Sequence, residues 1–586
     1  MSTATQVDSA AQSASIAAKL GRWLGPLLAL VCYFSLSQID AVPPEAPAAA
    51  SVILLIGIWW MTEAIPLGAT SLLPLVLFPL FGVHDASSKS VHPGQEVVVY
   101  AEGSNEIHLS SAIILSVSKH TAEVRDLSQG DNAQGDNSDG TTGPPIDVPL
   151  EQIDPLSGNT SLFELAARPY AHKYVFLMMG GFLLALSIEK WGLHRRIALH
   201  TIRLIGTNPM SLILGFMVAT AMLSMFITNT ASTLVMLPIA ISVATVLKDR
   251  GNDAVKMANF ATCLLLGIAY SASIGGLATF VGTPTNLLIV ETLSQEGHDI
   301  SFAQWMMFGL PLSLIFLFVS WLIMTRLLFR LQGLRIDGSK DLIDQMINDL
   351  GKMDKAEWRV LTVFILTALS WIFRVPITNW EWLVAQVPLV GRVDDTIIAL
   401  SAGLILFLIP SGTGQALLNW QTAVKLPWQA LLLFGGGLSL AAAVSSSGLD
   451  QLIGNATQEL FSGGAPTWIL IIAVTTVVIF LTEFTSNTAT AALFMPILLA
   501  TITSAEATSG VEIDSLLVLI PAGLAASCAF MLPVATPPNI IVFGSGHVSI
   551  RQMVRTGFLL NLVAILLIPL LTYFIGQWVM QPAAQG

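Results

Sequence analysis

Charge is scarce in this sequence. Of 586 residues only 11% are Asp, Glu, Lys or Arg, where a soluble domain carries about a quarter. Such a chain cannot cover its apolar surface in a water-facing fold. With 54% hydrophobic residues and a mean hydropathy of +0.72 it reads as a polytopic membrane protein. Bases are scarcer still: 26 Lys and Arg face 38 Asp and Glu, and the formal net charge is −12. No basic stripe forms, which excludes nucleic acid as a main partner. The three cysteines, Cys32, Cys263 and Cys528, all lie in apolar runs, which argues against a disulfide framework or a thiolate metal site. The nine histidines show no ligand spacing. No Ser/His/Asp set, Walker loop or glycine-rich nucleotide fingerprint occurs, so ATP-driven pumping has no support. An intramembrane enzyme would need a nucleophile–base pair at depth, and none is offered; the chain is not expected to be an enzyme.

What the sequence does hold is long apolar runs. A bilayer-spanning helix needs roughly 20 mostly apolar residues, and charge-free runs recur at 23–39, 46–62, 64–84, 174–188, 204–247, 257–290, 300–325, 360–373, 396–424, 426–449, 460–482, 484–505, 515–550 and 556–586. The first is expected to be a membrane helix instead of a cleavable signal, because no basic n-region or small-residue cleavage site accompanies it. Lys and Arg set orientation. Lys19 and Arg22 place the N-terminus in the cytoplasm, and three crossings later the acidic segment 85–170 lies outside. The stretch 326–359, with seven bases, returns inside. Both flanks of 204–247 are basic (Arg203; Lys248, Arg250), so this segment reads as a hairpin from inside. Between Lys425 and Arg551 no Lys or Arg occurs, and 460–505 reads as a second hairpin, from outside. The C-terminus is expected to be extracytoplasmic.

The halves repeat. Leu223-Ser-Met-Phe-Ile-Thr-Asn-Thr-Ala231 aligns with Leu481-Thr-Glu-Phe-Thr-Ser-Asn-Thr-Ala489 at an offset of 258 (Asn487 against Asn229). Gly282-Thr-Pro-Thr-Asn286 aligns with Ala535-Thr-Pro-Pro-Asn539 at 253, and Gly180-Gly181 with Gly435-Gly436 at 255. Opposite charge flanks make these inverted repeats with broken helices, the sequence mark of a secondary transporter with a midplane site. The alternative, polar turns between full-length helices, is not settled by length, since each arm is about 20 residues. The expected fold is therefore all-α and polytopic, with about eleven crossings, two re-entrant hairpins and a small extracytoplasmic insert. Its parts are scaffold helices 1–84, an acidic insert 85–170, and a first repeat core 171–325 with hairpin 204–247 and broken helix 257–290. A cytoplasmic linker with scaffold helices, 326–425, precedes a second core 426–586 with hairpin 460–505 and broken helix 515–550. In the insert, 96–100 and 112–117 suggest short strands, and 130–143 looks disordered.

Non-helical backbone at membrane depth survives only where protein or a watery cavity satisfies it. Asn229, Thr230, Asn487 and Thr488 offer amide and hydroxyl oxygens suited to a small hard cation, while helix N-termini suit an anion. No Lys or Arg lies in the four motifs. An anionic substrate would have to be neutralised by dipoles and bound cations, a physical reason for coupling anion entry to sodium. Glu63 reads as a helix-boundary residue before Pro66. Glu483 is compatible with either cation attraction or a structural hydrogen bond.

The motifs resemble the divalent-anion:sodium symporter family, which carries dicarboxylates, citrate or sulfate. The carrying segments are Trp59-Trp-Met-Thr-Glu-Ala-Ile-Pro66, Glu189-Lys-Trp-Gly-Leu-His194, Ile227-Thr-Asn-Thr230, Gly267-Ile-Ala-Tyr-Ser-Ala-Ser-Ile-Gly-Gly276, Glu483-Phe-Thr-Ser-Asn-Thr488 and Leu532-Pro-Val-Ala-Thr-Pro-Pro-Asn539. They cover roughly 50–80 and 175–580. The resemblance implies an elevator-type homodimer in the cell inner (plasma) membrane, moving C4-dicarboxylates such as succinate, fumarate and malate with sodium ions. Citrate or sulfate symport, or sodium-independent dicarboxylate exchange, are the alternatives within the class, and an anion channel is one outside it. Carried over residue by residue, it implies substrate contacts at Asn229, Thr230, Asn487 and Thr488, with Thr283, Pro284, Thr536 and Pro537 beside them. A first sodium site would use Ser224, Thr228, Asn229 and Gly282; a second, Thr482, Ser486, Asn487 and Ala535. One departure is Thr228-Asn-Thr where the family has Ser-Asn-Thr: the hydroxyl is kept and a methyl added. The insert 85–170 lies outside the family's core pattern.

Overall fold

The computed structural model describes residues 2–39, 42–83, 161–248, 254–334, 338–450, 452–453, 467–509 and 514–580, and the backbone of five short strands between 96 and 154. Apart from those strands the body is helical. Seven described helices are long and apolar enough to cross a membrane, eight if the bent pair Leu162–Ala171 and Lys173–Lys190 is one span. Seven shorter apolar helices, among them Ala46–Thr62, Pro209–Ser224, Asp395–Leu408 and Ser515–Ala525, accompany them. Helix Pro209–Ser224, with 16 residues, is about 24 Å long, short of the roughly 30 Å hydrocarbon core.

Polarity is distributed as a bilayer requires. Large apolar side chains face outward, including Leu366, Phe373, Leu404, Leu408 and Leu566, while Ser271, Thr279, Thr285, Asn286, Asn539 and Asn561 are buried. In lipid, helices gain nothing by hiding leucine from leucine, so small residues and hydrogen bonds mediate packing. The Gly-Gly pairs act this way. A Cβ on Gly180 would strike the Ala399 backbone, and one on Gly435 or Gly436 would strike Tyr170 or Ser71. Buried hydroxyls inside helices are satisfied by the carbonyl four residues back, as Thr220 on Phe216 at 2.7 Å and Thr475 on Ile471 at 2.6 Å.

Helix ends follow local chemistry. Ser301 with Gln304, Asp354 with Glu357, and Ser549 with Gln552 form capping boxes that open three helices. Glu63 closes Ala46–Thr62 in a left-handed conformation, φ 48°, its N–H on the Trp59 carbonyl; the helix-boundary role expected for it is what the backbone adopts. All three cysteines are free.

In the insert, β1 (Glu96–Val99), β2 (Ser111–Val117), β3 (Thr121–Asp126), β4 (Ile146–Pro149) and β5 (Ile153–Asp154) form one sheet in the order β4-β3-β2-β1-β5. Every neighbouring pair is antiparallel. The two expected strands coincide with β1 and β2. The other three were not foreseen, since β3 carries three charged residues in six and β5 has two residues. Residues 130–143 lie outside the described residues.

Candidate functional site

Each long polar-interrupted run is built as helix, break, helix. Helices Pro209–Ser224 and Asn229–Lys248 are joined through 225–228, and Thr467–Thr482 and Asn487–Ser509 through 483–486. Both second helices thus begin at the asparagine of the motif. Helices Ala254–Gly276 and Pro284–Gln295 flank the break 277–283; Ser515–Ala525 and Pro537–Gly544 flank 526–536, which contains the 3-10 turn Pro533–Ala535. Proline stands at the first turn of both second segments, where its missing N–H costs nothing and its fixed φ pre-forms the helix.

The breaks close in the same way in both halves. The Asn286 amide donates to the carbonyls of Gly276 (2.9 Å) and Thr279 (2.7 Å). Asn539 donates to Ala529 (3.1 Å) and Leu532 (3.0 Å). These partners keep the offset of 253 that relates the motifs. Carbonyls freed by the breaks thereby find donors within the chain. Gly276 and Gly282 bring the two ends of the first break into backbone contact, and a Cβ on Gly282 would collide with the Gly276 backbone.

Around the first break, Ser224 Oγ lies 2.6 Å from Asn229 Oδ1. A Cβ on Gly276 would sit 2.9 Å from that same oxygen and 3.2 Å from the Gly282 carbonyl. Ser224, Asn229 and Gly282 are therefore brought together. Thr228 joins them along the chain, and its hydroxyl accepts from Ala231 N at 3.3 Å, capping the helix that Asn229 opens. Around the second break, Thr482 Oγ1 lies 2.9 Å from Asn487 Oδ1 and 2.8 Å from the Ala526 carbonyl. Ser486 precedes Asn487, its carbonyl taking Thr490 Oγ1 at 3.0 Å. Ala535 is buried in the 3-10 turn, and among the described residues no hydrogen bond joins it to Asn487. Thr228, Asn229 and Thr230 are half-buried, as are Ser486, Asn487 and Thr488, so both tips remain open to a small solute.

Thr536 caps its helix, accepting from Asn539 N at 3.4 Å, and is followed by an exposed Pro537. Thr283 and the half-buried Pro284 occupy the matching place. Thr283 Oγ1 accepts from Thr285 Oγ1 at 3.2 Å, and Thr285 Oγ1 lies 2.6 Å from Ser527 Oγ. That hydroxyl chain links the two broken helices.

One difference between the halves is a buried charge. Glu483, 1% exposed, accepts from Phe530 N (2.7 Å), Met531 N (2.8 Å) and Leu532 N (3.0 Å), and from Asn561 Nδ2 (2.7 Å). The carboxylate is the anchor of the second break, so the structural hydrogen bond prevails over cation attraction. Its counterpart in the first half is Met225, whose carbonyl takes the Thr279 hydroxyl. Motif reading missed the Ala526 and Gly276 carbonyls and Asn561. The first two are backbone oxygens without a side-chain signature. Asn561, a polar residue inside the apolar run 556–586, was the available signal.

The oxygens gathered around Asn229 and Asn487 are amide, hydroxyl and carbonyl, all neutral. Among the described residues no group of three or more His, Cys, Asp or Glu could hold a metal. Such a set suits a weakly held monovalent cation better than a transition metal. Helix N-termini at Asn229, Pro284, Asn487 and Pro537 supply the complementary partial positive charge for an anion.

Residues 18–581 match the family described as the sodium:sulfate symporter transmembrane region. The chain is 35% identical to the sodium-dependent dicarboxylate transporter SdcS of Staphylococcus saprophyticus, over 96% of this chain and 92% of that one. It is likewise 35% identical to SdcS of Staphylococcus aureus, over 95% and 91%. Among solved structures, Neisseria gonorrhoeae MtrF superposes with a TM-score of 0.50 at 11% identity, covering 90% of this chain and 97% of that one. At that identity the likeness concerns the fold alone.

Proposed function

The chain belongs to the sodium:sulfate symporter transmembrane family, and from that premise we propose that it is a sodium-coupled symporter of C4-dicarboxylates such as succinate, fumarate and malate. The observation that carries this reading is the pair of neutral oxygen clusters, Ser224 with Asn229 and Thr482 with Asn487, each at the start of a helix and neither containing a base. The 35% identity to proteins named sodium-dependent dicarboxylate transporters supports the substrate class. A dianion meeting such a surface needs compensating positive charge. Helix dipoles supply part of it, at about half an elementary charge each. Sodium at the first site (Ser224, Thr228, Asn229, Gly282) and the second (Thr482, Ser486, Asn487, Ala535) supplies the rest, while Asn229, Thr230, Asn487 and Thr488 hold the carboxylates. Binding of each species raises the affinity for the other, which is reciprocal coupling. Labelled succinate uptake should be competed by fumarate and malate more effectively than by citrate or sulfate. Stronger competition by either of the latter would reassign the substrate.

The proposal includes opposed repeats 171–325 and 426–586, re-entrant hairpins 204–247 and 460–505, and about eleven crossings. It also includes a homodimer in which these cores move as elevators against a scaffold. The N-terminus and 326–359 are cytoplasmic, while the insert 85–170 and the C-terminus are extracytoplasmic, because bases avoid the insert and crowd the linker. Single cysteines at Ser138 and at the exposed Lys340 should react with an impermeant maleimide from opposite faces of sealed vesicles. Labelling of both from one face would sink this orientation.

A further inference from the structure

None of the four motifs contains Lys or Arg, yet the fold brings one lysine to the first of them. A cavity of about 120 Å³ is lined by Thr228 and Ile227 at the first tip, by Phe182 and Leu186 of helix Lys173–Lys190, and by Glu189 and Lys425. Lys425 is the sole cation in that lining and is exposed. It sits nearly two hundred positions from Thr228 in sequence, on the segment after helix Asp395–Leu408.

That segment is held firmly. Lys190 Nζ donates to the Leu417 carbonyl at 3.1 Å and Trp191 Nε1 donates to it at 2.7 Å. Leu418 N donates to the Leu406 carbonyl at 2.9 Å. Asn419 caps a short turn through Thr422 N at 2.9 Å, and Ala423 and Leu426 are buried. Lys425 N then bonds the Thr422 carbonyl at 3.0 Å. The backbone therefore fixes where the ammonium group is offered, while its flexible stem leaves it free to follow an anion.

We propose that this cavity is a vestibule for the dicarboxylate on the face that carries the basic loops, with Lys425 as its anion-attracting group and Glu189 as the opposing charge. The inference rests on the dicarboxylate reading above. A half-enclosed pocket with mostly apolar walls focuses the field of the charges that line it, and near Lys425 such steering raises local anion concentration. Glu189 beside it keeps the attraction from becoming a trap, so that the dianion is passed between cytoplasm and the Thr228–Thr230 tip and is not retained. A compact point charge that solvates readily suits a transit site; a bidentate arginine would suit a tight one.

The test uses the full-length protein in inside-out and right-side-out membrane vesicles, with labelled succinate as the probe. Lys425→Gln should raise the half-saturating succinate concentration at the basic-loop face by roughly tenfold at low ionic strength and leave the opposite face unchanged. At about 1 M choline chloride, where the Debye length is about 3 Å, wild type and variant should converge. Lys425→Arg should restore most of the affinity, and Glu189→Gln should shift it the opposite way. Wild-type kinetics at both faces for Lys425→Gln, or an equal rise at both, would overturn the vestibule. Absence of sodium-driven succinate transport in the unmodified protein would instead overturn the underlying function, so the two failures are distinguishable.

Discussion

Glu483→Gln should lower succinate uptake by roughly a hundredfold or more, and no sodium concentration should restore it. A carboxylate presents acceptors only, and at Glu483 they serve three consecutive backbone N–H groups, 530 to 532, and the Asn561 amide. Glutamine keeps one acceptor oxygen and turns an NH2 toward donors. Even with the amide oxygen placed to serve Phe530 N, Met531 N and Asn561 Nδ2, the buried Leu532 N–H loses its partner and meets an NH2, at about 1–3 kcal/mol, with more lost because the original bonds are charge-assisted. Each 1.4 kcal/mol is about tenfold. The break that Glu483 anchors leads directly into Ala535, Thr536 and Pro537, so a displaced backbone there displaces the helix start proposed to face substrate. The thermal unfolding midpoint should fall together with uptake, because the same bonds hold the fold. A Glu483→Gln protein with a wild-type midpoint, whose uptake recovers at high sodium, would show that the residue attracts cations instead of positioning the break.

Asn229→Ala and Asn487→Ala should each cost roughly tenfold to hundredfold in apparent affinity for both sodium and succinate. In each half the asparagine oxygen meets a hydroxyl, Ser224 at 2.6 Å or Thr482 at 2.9 Å, and the residue also opens the following helix. In the proposed site the amide oxygen faces the cation and the amide NH2 donates to the substrate carboxylate, so losing the side chain should lower both affinities together. Thr228 separates the effects. Thr228→Ser keeps the oxygen and should transport normally. Thr228→Val keeps the shape, deletes the oxygen and the cap on Ala231 N, and should raise the sodium concentration for half-maximal uptake. An unchanged sodium dependence in Thr228→Val would remove this residue from the first sodium site. A loss in only one of the two affinities for the asparagine variants would separate the ion sites from the substrate site.

Much of this arrangement is legible from the sequence because the membrane makes polarity informative. A run such as 204–247 has no reason to contain Thr-Asn-Thr unless those groups meet something polar, and the helices do break there. The repeated offset of 253 anticipated a repeated geometry, found in the paired amide clamps of Asn286 and Asn539. What escaped is what has no side-chain signature. The three N–H groups bound by Glu483 belong to phenylalanine, methionine and leucine, whose side chains say nothing of their backbones. Lys425 escaped because its approach to Thr228 depends on how the segment after Leu408 folds back on Lys190 and Trp191. In the insert, short runs rich in Val and Ile marked β1 and β2, whereas β3 is recruited by pairing with β2 and β4 despite its charges, tertiary context overriding propensity.

Sodium coupling is tested most directly in proteoliposomes holding equal succinate on both sides, with a labelled trace outside and an inward sodium gradient. Transient accumulation of label above the equilibrium level, abolished when choline replaces sodium, is the expected result. Equilibration to the same level and at the same rate in choline would contradict symport and identify a sodium-independent exchanger.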